Sequence, residues 1–145
     1  MLYSVWWVSG GEPHTRQYLG CWDTPGYLET DTAAMCGGSM LGEFINTLTM
    51  VDIATLWTET RAIFGRGSSS TFDGIRDIEK GLPFSILGYD ADNGGEVLNR
   101  HLYDFFVTDR RAKWQPPVQF TRSRPYKKND NAHVEQRNDV MVRKY

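Results

Sequence analysis

Cysteine is scarce in this 145-residue chain, which contains only Cys21 and Cys36. Two cysteines cannot build the disulfide framework of a small secreted domain, and they cannot supply a four-cysteine zinc site. The sequence therefore predicts a protein of a reducing compartment.

Long hydrophobic runs are also lacking. The apolar start, Leu2 to Val8, ends at Gly10-Gly11 and has no Lys or Arg before it. Such a run is too short to span a bilayer and does not have the charged flank of a signal peptide. We expect no membrane segment and no signal peptide. Residues 1–24 show no clear periodicity, and we expect an irregular N-terminal leader there.

Net charge is small, at −2, which by itself suggests no polyanionic partner. The two ends of the chain differ strongly, however. Residues 1–109 contain six Lys or Arg and fifteen Asp or Glu, whereas residues 110–145 contain ten Lys or Arg and three acids. An acidic body with a basic end can hold cations in one place and a polyanion in another.

The hydrophobic pattern predicts a mixed α/β fold. The expected order is three strands in an antiparallel meander, then helix, strand, helix, strand and helix. Asp52 begins the second hairpin turn, and Ser70 or Thr71 is expected to cap the first helix. The predicted strands are 27–33, 43–51, 57–64, 84–89 and 118–121; the predicted helices cover about 70–81, 95–106 and 131–143, with a basic loop at 109–117.

Three carboxylates occupy positions that suit metal-dependent phosphoryl transfer. Asp31 lies within the first strand, Asp92 follows the fourth, and Glu135 begins the last helix. Two-metal chemistry needs carboxylates that converge from separate elements, and magnesium prefers such oxygen ligands. On spacing alone, three unrelated surface acids are the favoured interpretation, because a chain with eighteen acids offers many such triplets.

Longer motifs favour the catalytic interpretation. They are Gly26-Tyr27-Leu28-Glu29-Thr30-Asp31-Thr32, Cys36-Gly37-Gly38-Ser39, Gly42-Glu43-Phe44-Ile45, Thr47-Leu48-Thr49, Asp52-Ile53-Ala54-Thr55, Trp57-Thr58-Glu59, Asp92-Asn93-Gly94, the run from Phe120 to Asn131, and Asn-x-x-Val-Glu-x-x-Asn at 131–138. As a set they resemble the D,D,E catalytic core of retroviral-type integrases and bacterial insertion-sequence transposases, whose fold is ribonuclease H-like. The resemblance runs from about Trp22 to Asn138.

The resemblance implies a role for each acid. Asp31 would bridge two Mg²⁺ or Mn²⁺ ions, Asp92 would hold one and Glu135 the other. The implied reaction is phosphodiester cleavage followed by DNA strand transfer, with transposon ends and target duplex as partners. The resemblance also implies a bacterial, cytoplasmic, nucleoid-associated protein, and it leaves a homodimer open.

Some features depart from the family pattern. Asp92 and Glu135 are separated by 42 residues, more than is common in the family, and Met35 stands where histidine is common. The pattern is lost after Asn138. We therefore expect residues 25–145 to be a catalytic core whose last helix is truncated.

A basic, aromatic-containing segment precedes Glu135 and is the best nucleic-acid signal. Its expected DNA-binding residues are Arg122, Arg124, Tyr126, Lys127 and Lys128. Basic side chains neutralise phosphates, and an aromatic ring can stack on a base. The alternative is an ordinary solvated loop.

Further residues and functions stay open at this point. Asp90 could replace Asp92 as a ligand, although the Asn-Gly after Asp92 favours the latter. His101 lies on the apolar side of the second helix and is expected to be a core residue. A ribonuclease H-like nuclease would require a fourth clustered acid, which the sequence does not indicate. A non-catalytic DNA-binding or dimerising remnant of a transposase is the other alternative.

Overall fold

The computed structural model describes residues 23–35, 45–65, 67–91, 100–113, 115–122 and 132–141. Within these ranges five strands form one sheet, with helices on both sides. The strands are β1 (Tyr27–Ala34), β2 (Ile45–Asp52), β3 (Thr58–Phe64), β4 (Gly88–Ala91) and β5 (Gln119–Arg122). The helices are α1 (Ser68–Gly81), α2 (Arg100–Tyr103), a π-helical segment (Asp104–Asp109), α3 (Arg110–Ala112) and α4 (Ala132–Met141). The predicted mixed α/β fold is confirmed.

The first three strands form the predicted antiparallel meander. Asp52 fixes its second turn, as expected, because the buried carboxylate accepts hydrogen bonds from two directions. Oδ2 accepts from the backbone N–H and the hydroxyl of Thr55, at 2.8 and 2.7 Å. Oδ1 accepts from the N–H of Gly26 at 2.7 Å, so one side chain joins the turn to the start of β1.

The sheet continues on the other side of β1, in the order β3-β2-β1-β4-β5. β4 runs parallel to both β1 and β5. The prediction of a strand at 84–89 was wrong by several residues, since β4 covers 88–91. Ile86 is buried in the core without belonging to a strand. The apolar run therefore predicted the burial of Ile86 correctly, but it did not predict which residues pair in the sheet.

Helix α1 packs against β2 and β3. Gly74 permits the close approach, because a Cβ at this position would lie 2.9 Å from Leu48 Cδ2 and 3.0 Å from Ile63 Cγ2. The predicted cap was wrong: Gly67 precedes the helix, and no side chain caps it. Ser70 instead turns back, and its hydroxyl donates to the Gly67 carbonyl at 2.9 Å. The predicted helix end at Gly81 is confirmed.

The second helical region contains a π-helical segment at 104–109 and continues to Ala112. The expected loop at 109–117 is therefore wrong in its first part. The wider π turn also changes which residues face inward. Leu102, Phe106 and Val107 are fully buried, whereas His101 is exposed, so its expected core position is wrong.

Arg110 follows the π-helical segment and points into the protein. It forms an ion pair with Glu79 of α1 and lies over the rings of Phe105 and Phe106. Burial lowers the pKa of its guanidinium below the ordinary value. This basic residue therefore joins helices instead of facing solvent.

Helix α4 lies on the other side of the sheet, against β1 and β2. The result is three layers, with α1 on one side of the sheet and α4 on the other. Among the helices of the described residues, none is long and apolar enough to cross a membrane.

Candidate active site

Asp31 lies near the middle of β1, and its carboxylate faces α4. Oδ1 accepts a hydrogen bond from the backbone N–H of Thr32 at 2.8 Å, and Oδ2 accepts one from Nδ2 of Asn138 at 2.7 Å. The side chain is half-buried. Two donors from different elements thus fix the plane of a carboxylate that still reaches the surface. Sequence reasoning placed Asp31 in this strand but gave Asn138 no role.

Glu135 lies one helical turn before Asn138, in the first turn of α4, and its side chain is exposed. Residues three apart on a helix are neighbours on its surface, about 4.5 Å apart along the axis. The structure therefore places Glu135 and Asp31 on the same side of the sheet.

Asp92 lies outside the described residues. The last paired residues of β1 and β4 are Thr30 and Ala91, and Ala91 is the residue before Asp92. Asp31 follows Thr30 in the chain, just as Asp92 follows Ala91. Among the described residues, no group of three or more Asp, Glu, His or Cys side chains could hold a metal ion.

Two further acids lie on the α4 side of the sheet, and the sequence reasoning undervalued them. Glu29 stands two residues before Asp31 and therefore faces the same way. Its register partner across β1 and β4 is Asp90. Glu29 is 0% exposed and Asp90 is 2% exposed.

This burial bears on the question of Asp90 as an alternative ligand. A ligand for metal-dependent DNA chemistry has to be reached by a phosphate from solvent, and a carboxylate at this depth is poorly placed for that. The signal was present in the sequence as two acid-x-acid pairs, Glu29-x-Asp31 and Asp90-x-Asp92, on strands that turn out to be neighbours.

Most of the basic segment also lies outside the described residues. Arg122 is the last residue of β5, and Arg124, Tyr126, Lys127 and Lys128 follow beyond the described range. Arg122 is the register partner of Ala91. The segment therefore starts beside the strand end that precedes Asp92.

Sequence comparison finds one similar curated protein. The uncharacterised protein y4rM of Sinorhizobium fredii is 36% identical over 130 residues. The match covers 87% of this chain and 35% of y4rM, so the chain spans about a third of that relative's length. No family model matches the chain.

Comparison with solved structures shows what the fold is. The structure of the HTLV-2 integrase catalytic core domain in complex with magnesium has a TM-score of 0.58 and 14% identity, over 80% of this chain and 67% of that one. The BIV integrase catalytic core gives 0.57 and 12%, over 79% and 64%. The simian T-cell lymphotropic virus intasome gives 0.63 and 14%, over 81% and 38%. This chain therefore has the ribonuclease H-like fold of an integrase catalytic core.

Proposed function

We propose that this chain is the D,D,E catalytic core of a DNA transposase or integrase. It would cleave phosphodiester bonds in duplex DNA and join the freed 3′ end to a target. Asp31, Asp92 and Glu135 would carry the reaction. The observation that carries the proposal is the hydrogen bond from Asn138 to Asp31, which brings the helix of Glu135 onto the strand of Asp31.

The strand register supports Asp92 as the third member. Thr30 and Ala91 are partners, and in the sequence an aspartate follows each of them. Two parallel strands that continue by one residue would present these carboxylates side by side, on the side of the sheet that α4 covers.

The donor chemistry fits magnesium or manganese. The three proposed ligands offer only carboxylate oxygens, which these hard cations prefer. A pair of bound ions supplies activation of the attacking oxygen and stabilisation of the leaving oxygen.

The chain's own residues would orient this chemistry. Thr32 and Asn138 hold the Asp31 carboxylate from two sides, so its position does not depend on the substrate. Glu135 projects from the surface of α4, where a DNA phosphate has access. In the first step a water oxygen would attack phosphorus and the 3′ oxygen would leave. In the second step that 3′ hydroxyl would lose its proton and attack a target phosphate, and the 3′ oxygen of the target strand would leave as a hydroxyl.

The basic segment would hold the DNA beside these acids. It begins at Arg122, the register partner of Ala91, and Asp92 follows Ala91 directly in the sequence. Arg122, Arg124, Lys127 and Lys128 would neutralise phosphates, and Tyr126 would stack on a base. A homodimer and an association with the nucleoid remain predictions of the same proposal.

Metal-dependent nicking of supercoiled plasmid tests the proposal. The wild-type chain should nick with Mn²⁺ or Mg²⁺ but not with EDTA, and Asp31→Asn, Asp92→Asn and Glu135→Gln should each lose the activity. Asp73→Asn is the matched control, because this exposed acid lies on α1, across the sheet.

Two outcomes would go against it. Nicking that survives all three substitutions would place the chemistry elsewhere. DNA binding without any metal-dependent cleavage would favour the non-catalytic remnant. Weak, sequence-indifferent nicking is the result that we expect, because the proposed contacts of the basic segment are to phosphates, which carry no sequence information.

A further inference from the structure

Two buried, uncharged side chains on the α4 side of the sheet each have an atom without a hydrogen-bond partner among the described residues. The atoms are Oγ1 of Thr49 in β2 and Oδ1 of Asn138 in α4. Both residues are 1% exposed. An unsatisfied buried polar group costs about 1–3 kcal/mol, so two of them beside one carboxylate need an explanation.

The strand register places Thr49 beside Asp31, because the two are partners across β1 and β2. The orientation of Thr49 follows from its neighbour. Leu48 points toward α1, where it meets Gly74. Side chains alternate along a strand, so Thr49 points the opposite way, toward α4. Asn138 reaches Asp31 from that same helix.

The two atoms are chemically complementary. The Asn138 amide has a donor end and an acceptor end, and the donor end already faces Asp31. A carboxylate can only accept, so the other orientation of the amide would set oxygen against oxygen. The acceptor end, Oδ1, therefore needs a donor, and the Thr49 hydroxyl is a buried donor on the adjacent strand.

We propose that Thr49 is a positioning residue for the active site. Its hydroxyl donates toward Asn138 Oδ1, directly or across one bridging water, and so holds the amide with Nδ2 on Asp31. The Asp31 carboxylate is then fixed by β1 through Thr32, by α4 through Asn138 and by β2 through Thr49. This role rests on the proposed function, in which Asp31 holds metal.

Thr49→Val tests the role, because valine has the shape of threonine without the hydroxyl. The first readout is the side-chain amide resonance pair of Asn138 in ¹⁵N-labelled protein, assigned by its disappearance in Asn138→Asp. We expect this pair to shift in Thr49→Val and to return in Thr49→Ser. The second readout is the Mg²⁺ concentration for half-maximal nicking, which should rise roughly fivefold, as expected for one lost neutral hydrogen bond.

Thr30→Val is the matched control. Thr30 is equally buried, and its hydroxyl likewise has no partner among the described residues, but it lies one residue along β1 and so faces the α1 side. An Asn138 resonance that does not move in Thr49→Val, or that moves as much in Thr30→Val, would overturn the proposal. The resonance is measured without DNA or metal. A negative NMR result would therefore contradict the role of Thr49, whereas a negative nicking assay would contradict the proposed function.

Discussion

Asn138 donates a hydrogen bond to Asp31 from 107 residues further along the chain, at 2.7 Å. This contact joins α4 to the centre of β1. The contact therefore links α4, whose first turn carries the exposed Glu135, to β1, whose middle carries the half-buried Asp31.

Removing this contact should lower both stability and activity. In Asn138→Leu the Asp31 carboxylate loses a donor, and a hydrogen bond to a charged group contributes about 1.5–3 kcal/mol. We expect urea unfolding to show a loss of about 2 kcal/mol, and plasmid nicking to fall by about 100-fold through misplacement of Asp31. Gln136→Leu, at an exposed position of the same helix, is the control. Equal nicking by both variants would contradict a role for Asn138.

The basic segment should bind DNA through phosphates. Lys127→Ala with Lys128→Ala should weaken binding about equally for unrelated duplex sequences, and the slope of log affinity against log salt should decrease by about two. Fluorescence anisotropy at several salt concentrations measures both quantities. Lys80→Ala with Lys113→Ala removes the same charge from exposed positions on other elements. If this control pair changes the slope as much, binding follows net charge and not the segment.

A side chain at position 26 should lower the stability of the folded protein. The φ of Gly26 is +120°, and an added Cβ would collide with the backbone oxygen of Ser85. We expect Gly26→Ala to lose at least about 2 kcal/mol of unfolding free energy, measured by chemical denaturation. Gly65 also has positive φ, at +69°, but nothing lies within 4 Å of its Cβ position. Gly65→Ala should therefore lose only about 1 kcal/mol, the cost of the left-handed conformation alone.

A pH effect is expected at the β3–α1 contact. Arg61 donates to Asp77 at 2.8 Å, and this hydrogen bond holds the pKa of the Asp77 carboxyl below its ordinary value. A lowered pKa in the folded state stabilises the protein above the unfolded pKa, near 3.9, and the contribution disappears as the pH falls through the folded value. Arg61→Gln should raise the Asp77 pKa in NMR titration. An unchanged titration curve would show that the pair does not form in solution.

The sequence predicted the meander well because its signals are local. A long β-prone run, an acid that closes the turn and a second run are all contained in residues 43–64. The position of β4 was wrong because pairing with β1 and β5 selects residues 88–91 from a longer apolar stretch. The apolar pattern places His101 on the same side of the helix as Leu102, and only the packing of the assembled fold decides that Leu102 is buried and His101 exposed.

For the candidate site, residue type indicated Asp31 and Glu135, and element boundaries indicated where each would lie. Asn138 and Thr49 lie within motifs of the sequence, but their contact with the site could not be predicted. Their relation to Asp31 depends on the antiparallel register of β1 with β2 and on the packing of α4, and both are properties of the assembled fold.

The long separation between Asp31 and Asn138 also has a kinetic consequence. Contacts between residues far apart in the chain form late, because closing a long loop costs entropy before the contact is gained. At ribosomal speeds of about 5–20 residues per second, α4 emerges roughly 5–20 s after β1. Helix α4 thus joins β1 only after all five strands have been synthesised, so a nascent chain can assemble its sheet before Asn138 reaches Asp31.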